Sequence, residues 1–139
     1  MVEVLAIVRA EEANLLQALG QARAAGLWHA AVGCLQALRL LYERTGRDSE
    51  WARLVAAITP DVTDPGTEGP RPGREQEWSI VIGYRTRLAE ATRDWPVTSV
   101  LMNARIAWNR DWAAAALAVS SASLTPIQRN QIRPRSQPS

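Results

Sequence analysis

The stretch that decides the fold is EEANLLQALGQARAAGLWHAAVGCLQALRLLYERTG, residues 11–46. Ahead of Gly26, Glu12, Leu15, Leu19 and Ala22 advance by three or four, and the same stripe runs back through Val8 to Leu5. That spacing predicts an amphipathic helix over residues 3–25. Gly26 suits the left-handed position that closes a helix. Beyond it, Leu27, Ala31, Cys34, Leu35, Leu38, Leu41 and Tyr42 share one face, and Gln36, Arg39, Glu43 and Arg44 take the other. A second helix is therefore predicted over 27–45, closed by Gly46.

Working outward, Asp48 is a suitable N-cap for a third helix, with Glu50 in its first turn. Trp51, Leu54, Val55 and Ile58 form its apolar face, and Pro60 is expected to stop it. Residues 61–73 contain Pro65, Gly66, Gly69, Pro70, Pro72 and Gly73, which predicts a loop. A fourth helix, about 75–94, carries Trp78, Val81, Tyr84, Leu88, Ala91 and Trp95. A fifth, about 96–119, opens on Pro96 and carries Val97, Leu101, Ala104, Trp108, Trp112, Ala115 and Val119. Thr125-Pro126 then caps a short turn that Pro134 halts, so the end reads as an interrupted element of a broken-off array.

The expectation is an all-α fold of about five helices plus a short C-terminal turn, arranged as an α-solenoid of antiparallel pairs. Its blocks would be residues 1–59, a Pro/Gly-rich loop at 60–74, a second, degenerate helical pair at 75–120, and a flexible basic tail at 121–139.

Helix–turn–helix units with residues of fixed size at fixed offsets mark repeat arrays, and the first pair can be laid on the 34-residue tetratricopeptide pattern. With Leu15 at its fourth position, Ala18, Leu19 and Ala22 fall at the seventh, eighth and eleventh. Gly26, Trp28, Ala31, Leu35 and Leu38 then match the turn glycine, aromatic, small, bulky and second small positions by size class. Leu19 stands where glycine is usual and Leu38 where alanine is usual, so the pair should splay slightly wider. Asp94-Trp95 gives a weaker echo, with Arg105 a poor fit in its register.

Three strings carry a family resemblance: residues 11–16 (EEANLL), 40–47 (LLYERTGR) and 73–79 (GREQEWS). They resemble the tetratricopeptide region of large bacterial signalling proteins, in which such arrays are coupled to an NTPase or a caspase-like module. The resemblance implies a sensor or scaffold and no catalytic residue in this region. In such arrays the first helix of each unit lines a groove. This places Ala13, Leu16, Gly20 and Arg23 in the first groove and Arg87 and Glu90 in the second. Leu16, Arg23, Arg87 and Glu90 are the candidate partner-binding residues. The Lys/Asn clamp that grips C-terminal carboxylates in some arrays is absent at these positions.

Charge distribution narrows the function classes. All sixteen basic residues are Arg, and the formal net charge is +2. Residues 1–59 carry six Arg against six acids, and residues 75–119 carry five against five. The excess lies in the tail, on Arg129, Arg133 and Arg135. A duplex-binding domain gathers basic charge on a folded face, so nucleic acid is not the expected partner. The alternative reading is a small regulator that binds nucleic acid through this Arg-rich tail.

Catalysis finds little to build on. Cys34 is the one cysteine and His29 the one histidine, which excludes an intrachain disulfide and a Cys/His zinc shell. Cys34 on an apolar stripe reads as a buried thiol, and His29 as a surface side chain. Trp51, Trp78, Trp95, Trp108 and Trp112 lie on stripes and read as packing residues. Glu90 has Arg87 and Arg93 three positions away, which reads as a solvated helix face. The N-terminus has an acid, Glu3, where a signal peptide carries positive charge, and no run long enough for a bilayer. The sequence thus predicts a cytoplasmic, non-catalytic interaction scaffold. It would need no cofactor and no metal, bind a protein partner, and self-associate through exposed solenoid ends.

Overall fold

A computed structural model describes residues 2–123. It contains α1 (Val2–Ala25), α2 (Trp28–Thr45), α3 (Asp48–Val62), α4 (Glu75–Ala91) and α5 (Trp95–Ser123). The fold is all-α. The described residues contain no strand, only an isolated antiparallel bridge between Thr63 and Pro70. The expected turn after Thr125 and the basic tail lie outside the described residues.

The chain divides into two compact units, Met1–Arg105 and Ile106–Ser139. In the second, residues 106–123 are the C-terminal run of α5, with Ile106 and Leu117 exposed. The remainder of the description concerns the first unit.

Three of its helix ends are built alike. Gly26 and Gly46 sit at φ +70 and +67. The following amides, of Leu27 and Arg47, donate to the carbonyls of Ala22 at 2.9 Å and Tyr42 at 3.0 Å. This double-turned stop satisfies carbonyls that a helix end leaves orphaned. After α4 the left-handed position falls on Arg93 (φ 55), and the Asp94 amide donates to the Ala89 carbonyl at 2.9 Å. No glycine marks that stop, which is why the periodicity carries the predicted helix to about 94. Asp94 then caps α5, its Oδ1 accepting from the Val97 amide at 3.3 Å.

The tight turn at Gly26 folds α2 back along α1. Leu19 and Ala22 of α1 are buried with Ala31, Val32, Leu35, Leu38 and Tyr42 of α2. A second hairpin follows. Trp51 near the start of α3 meets Tyr84 in the second half of α4, ring centroids 5.2 Å apart and planes at 72°. The two helices therefore run antiparallel. Trp51, Val55, Ile58 and Val62 of α3 and Trp78, Val81 and Ile82 of α4 complete the buried set.

The hairpins lie side by side in matching directions. Glu12 of α1 pairs with Arg47, just before α3, and Arg23 pairs with Asp61 near the end of α3, so α1 and α3 run parallel. Arg74, just before α4, stacks over Trp28 at the start of α2, and Arg39 lies over Tyr84 further along. Helices α2 and α4 therefore also run parallel. Thr98 and Leu101 of α5 are buried too, and Leu101 joins Val55 of α3 and Ala89 of α4 in lining one hollow.

Several expectations change. The partner of α4 is α3, packed far more extensively than α5, so the 60–74 segment is the tip of the second hairpin and not a divider between blocks. Pro60 lies inside α3, which continues to Val62. A proline forfeits one backbone bond and crowds the carbonyl four residues back. Here burial of Val62 and the Arg23–Asp61 pair reward the extra turn. Trp95, expected in the core, is 58% exposed. Leu5 and Ile7 are 56% and 60% exposed. Glu12 already faces the end of α2, and residues 3–7 ahead of it are all exposed.

Candidate functional site

The four residues expected to line a partner-binding groove are not brought together. Arg23 is engaged inside the fold: its Nε donates to Asp61 Oδ2 at 2.6 Å, and its Nη2 reaches the Ala57 carbonyl at 3.3 Å. It ties α1 to α3. Leu16, on α1, is exposed. Arg87 and Glu90 line a hollow of ≈ 500 Å³ between α2 and α4, whose lining includes neither Leu16 nor Arg23. The expected pairs of Glu90 with Arg87 or Arg93 are not among the ion pairs of the described residues.

The loop at the tip of the second hairpin is more ordered than its composition suggests. The Asp64 amide donates to the Gly69 carbonyl at 2.8 Å, and the Arg71 amide to the Val62 carbonyl at 2.9 Å. Arg71 Nε returns to the Pro60 carbonyl at 2.8 Å, and Arg74 donates to the Asp61 carbonyl. Trp78 Nε1 donates to the Glu68 carbonyl at 3.2 Å, and Arg85 pairs with the Glu68 carboxylate at 3.2 Å. Arg74 lies 4.2 Å from the centroid of Trp28. Two arginines that count only as loop charges in the sequence therefore bind the loop to both hairpins.

At the opposite end of the unit, Arg47 donates to both oxygens of Glu12 and to Glu50. Tyr42 Oη donates to Glu12 Oε1 at 3.2 Å. The Glu12 side chain is 14% exposed. The Arg47 hydrogen bonds hold its carboxyl below the usual carboxylate range, against the burial that raises it. Burial, then the Glu12 charge, pushes the Tyr42 hydroxyl up. Tyr84 is likewise raised, chiefly by burial. Each is explained by a structural contact.

The hollow around Arg87 is lined by three arginines and one acid. Arg39 from α2, Arg87 from α4 and Arg105 from α5 line it with Glu90, Tyr84 and Gln36. Sequence reasoning missed Arg39 and Arg105, for with Arg87 they stand on three helices far apart in the chain and no local pattern links them. His29 is exposed and lines a separate ≈ 140 Å³ hollow with Gln76 and Glu77. Cys34, expected buried, is half-buried. Among the described residues, no group of three or more His, Cys, Asp or Glu is placed to hold a metal ion. No described helix is long and apolar enough to cross a membrane.

Apolar side chains are bare on the first and last helices. On α1 these are Val4, Leu5 and Ile7, with Leu16 further along, and on the part of α5 within the first unit they are Trp95, Val97, Val100 and Met102. Scattered exposed apolar residues are ordinary, but runs of them on one short helical segment mark contact surfaces. Set against known protein families, curated proteins and solved structures, the chain matches none.

Proposed function

We propose that this chain is a non-catalytic protein–protein interaction scaffold: a tetratricopeptide-like stretch of α-solenoid serving as a sensor or adaptor fragment of a bacterial signalling protein. Support begins with the register of the first helix pair, Leu15 to Leu38. The two hairpins, stacked with α1 parallel to α3 and α2 parallel to α4, are the arrangement that repeat arrays propagate. A cytoplasmic address suits a lone reduced thiol such as Cys34.

The observation that carries the reading is the bare apolar surface on α1 and α5. In a stack whose units touch only their neighbours, terminal helices need polar outer faces to stay apart from other proteins. Here Val4 and Ile7, three positions apart on α1, and Val97 and Val100, three positions apart on α5, present the opposite. Copies of the chain, or a companion with the same kind of face, would bury them.

Sedimentation velocity of a variant with Val4→Glu and Ile7→Glu tests this. Those side chains are largely exposed in the described fold, so helicity should be kept while association is lost. A variant that unfolds, or that associates as the wild type does, would count against these residues as a contact face.

A further inference from the structure

Arg23, Arg47 and Arg85 each face a carboxylate, so their charge is neutralised within the fold. The arginines around the α2–α4 hollow are not so matched. Arg39 approaches Glu43 only at 3.7 Å along its own helix, lies 5.4 Å from the Tyr84 ring centroid, and has a buried Nε without a hydrogen-bond partner. Neither Arg87 nor Arg105 belongs to an ion pair among the described residues. Glu90 is the one acid lining this ≈ 500 Å³ space. The space over Gly83 is open: a Cβ there would meet nothing within 4 Å.

A second hollow of ≈ 500 Å³ adjoins it and shares Arg39, Tyr84 and Arg87. Its character is different. Trp51, Leu88 and Ala91 give it an apolar lining, with Glu43 and Asp48 as its acids. The continuous surface is thus basic in one half and apolar with acidic flanks in the other.

We propose that these adjoining hollows dock an acidic peptide segment of a partner protein. A carboxylate side chain enters among Arg39, Arg87 and Arg105, and a neighbouring apolar side chain enters beside Trp51 and Leu88. Guanidinium groups suit a carboxylate because they offer paired donors in one plane, and an aromatic-floored apolar recess supplies the anchor that such interfaces use. Arg129, Arg133 and Arg135 near the end of the sequence bear the same sign of charge as these arginines and do not supply the carboxylate that the site calls for. A nucleic-acid duplex is disfavoured as well, since it needs many cations spread along a face and half of this surface is apolar. The site rests on the scaffold reading and names the chemistry of one partner.

The test is fluorescence polarisation of a short fluorescein-labelled peptide of Glu and Leu residues, titrated with the full chain at low protein concentration. Saturable binding that weakens as salt is added is expected. Arg87→Gln with Arg105→Gln should weaken it at least about tenfold, and Arg105→Gln alone should weaken it by a smaller factor. Both side chains are exposed, so circular dichroism of these variants should match the wild type. Absence of saturable binding would overturn the site. So would equal affinity in the double variant, or equal affinity for a peptide with Lys in place of Glu. Self-association is measured on the same samples, and Arg87→Gln alone, on α4 and away from the bare ends of α1 and α5, serves as the variant for that comparison. A chain that self-associates and ignores the acidic peptide loses the docking site and keeps the scaffold function.

Discussion

Glu12 is the one charged member of the stripe from Leu5 to Ala22, and that oddity is the sequence's signal for an internal ion pair. Its partner was not legible, because Arg47 sits in a turn where periodicity says nothing about direction. The pair has a pH signature. With its carboxyl held below 4.5, Glu12 contributes stability that is fully present above that value and is lost as pH falls through the lowered one. Thermal melts of Glu12→Gln should therefore show a lower Tm than the wild type at neutral pH, and the two should converge in acid. A constant gap between them at every pH would show that Glu12 does not titrate against Arg47 in the folded state. Arg23 illustrates the converse error. Its place on the helix suggested a groove, and only the continuation of α3 past Pro60 to Asp61 reveals that its charge is already used.

Helix existence and most boundaries were legible because glycine stops and 3.6-residue stripes are local properties. Pairing was not. The 61–73 stretch reads as a separator, yet its backbone bonds and the Arg71, Arg74 and Glu68 contacts make it the tip of a hairpin. Such contacts depend on which helices return to the same place, information that no single segment holds. The end of α4 was blurred for a simpler reason, since Arg93 takes a conformation that glycine usually takes. Arg93→Gly should relieve that conformation and raise stability to chemical denaturation by up to about 1 kcal/mol, the gain being trimmed by the freer unfolded chain. Gly46→Ala, at φ +67, should change it in the opposite direction. Equal stability of all three proteins would mean that the left-handed stops carry no strain.

On the scale of the whole molecule, averages conceal what folding sorts out. Both helical blocks are neutral by composition, so charge counting gave no site. Folding neutralises Arg23, Arg47 and Arg85 internally and leaves Arg39, Arg87 and Arg105 converging on one hollow. Arg87 and Glu90 of the expected groove do lie in that hollow, while Leu16 and Arg23 do not. The apolar ends were legible in kind, since a short stack of amphipathic helices must leave outer faces uncovered. Which residues they comprise followed only from the structure: Val4 and Ile7 lie near the free start of α1, and Val97 and Val100 lie on the side of α5 away from buried Thr98 and Leu101. The most direct measurement is static light scattering of the unmodified chain over a wide concentration series. The expected result is a weight-average mass that climbs above the 15.3 kDa of a single chain as concentration rises. A mass that stays at 15.3 kDa throughout would contradict an interaction scaffold that recognises its own kind through these faces.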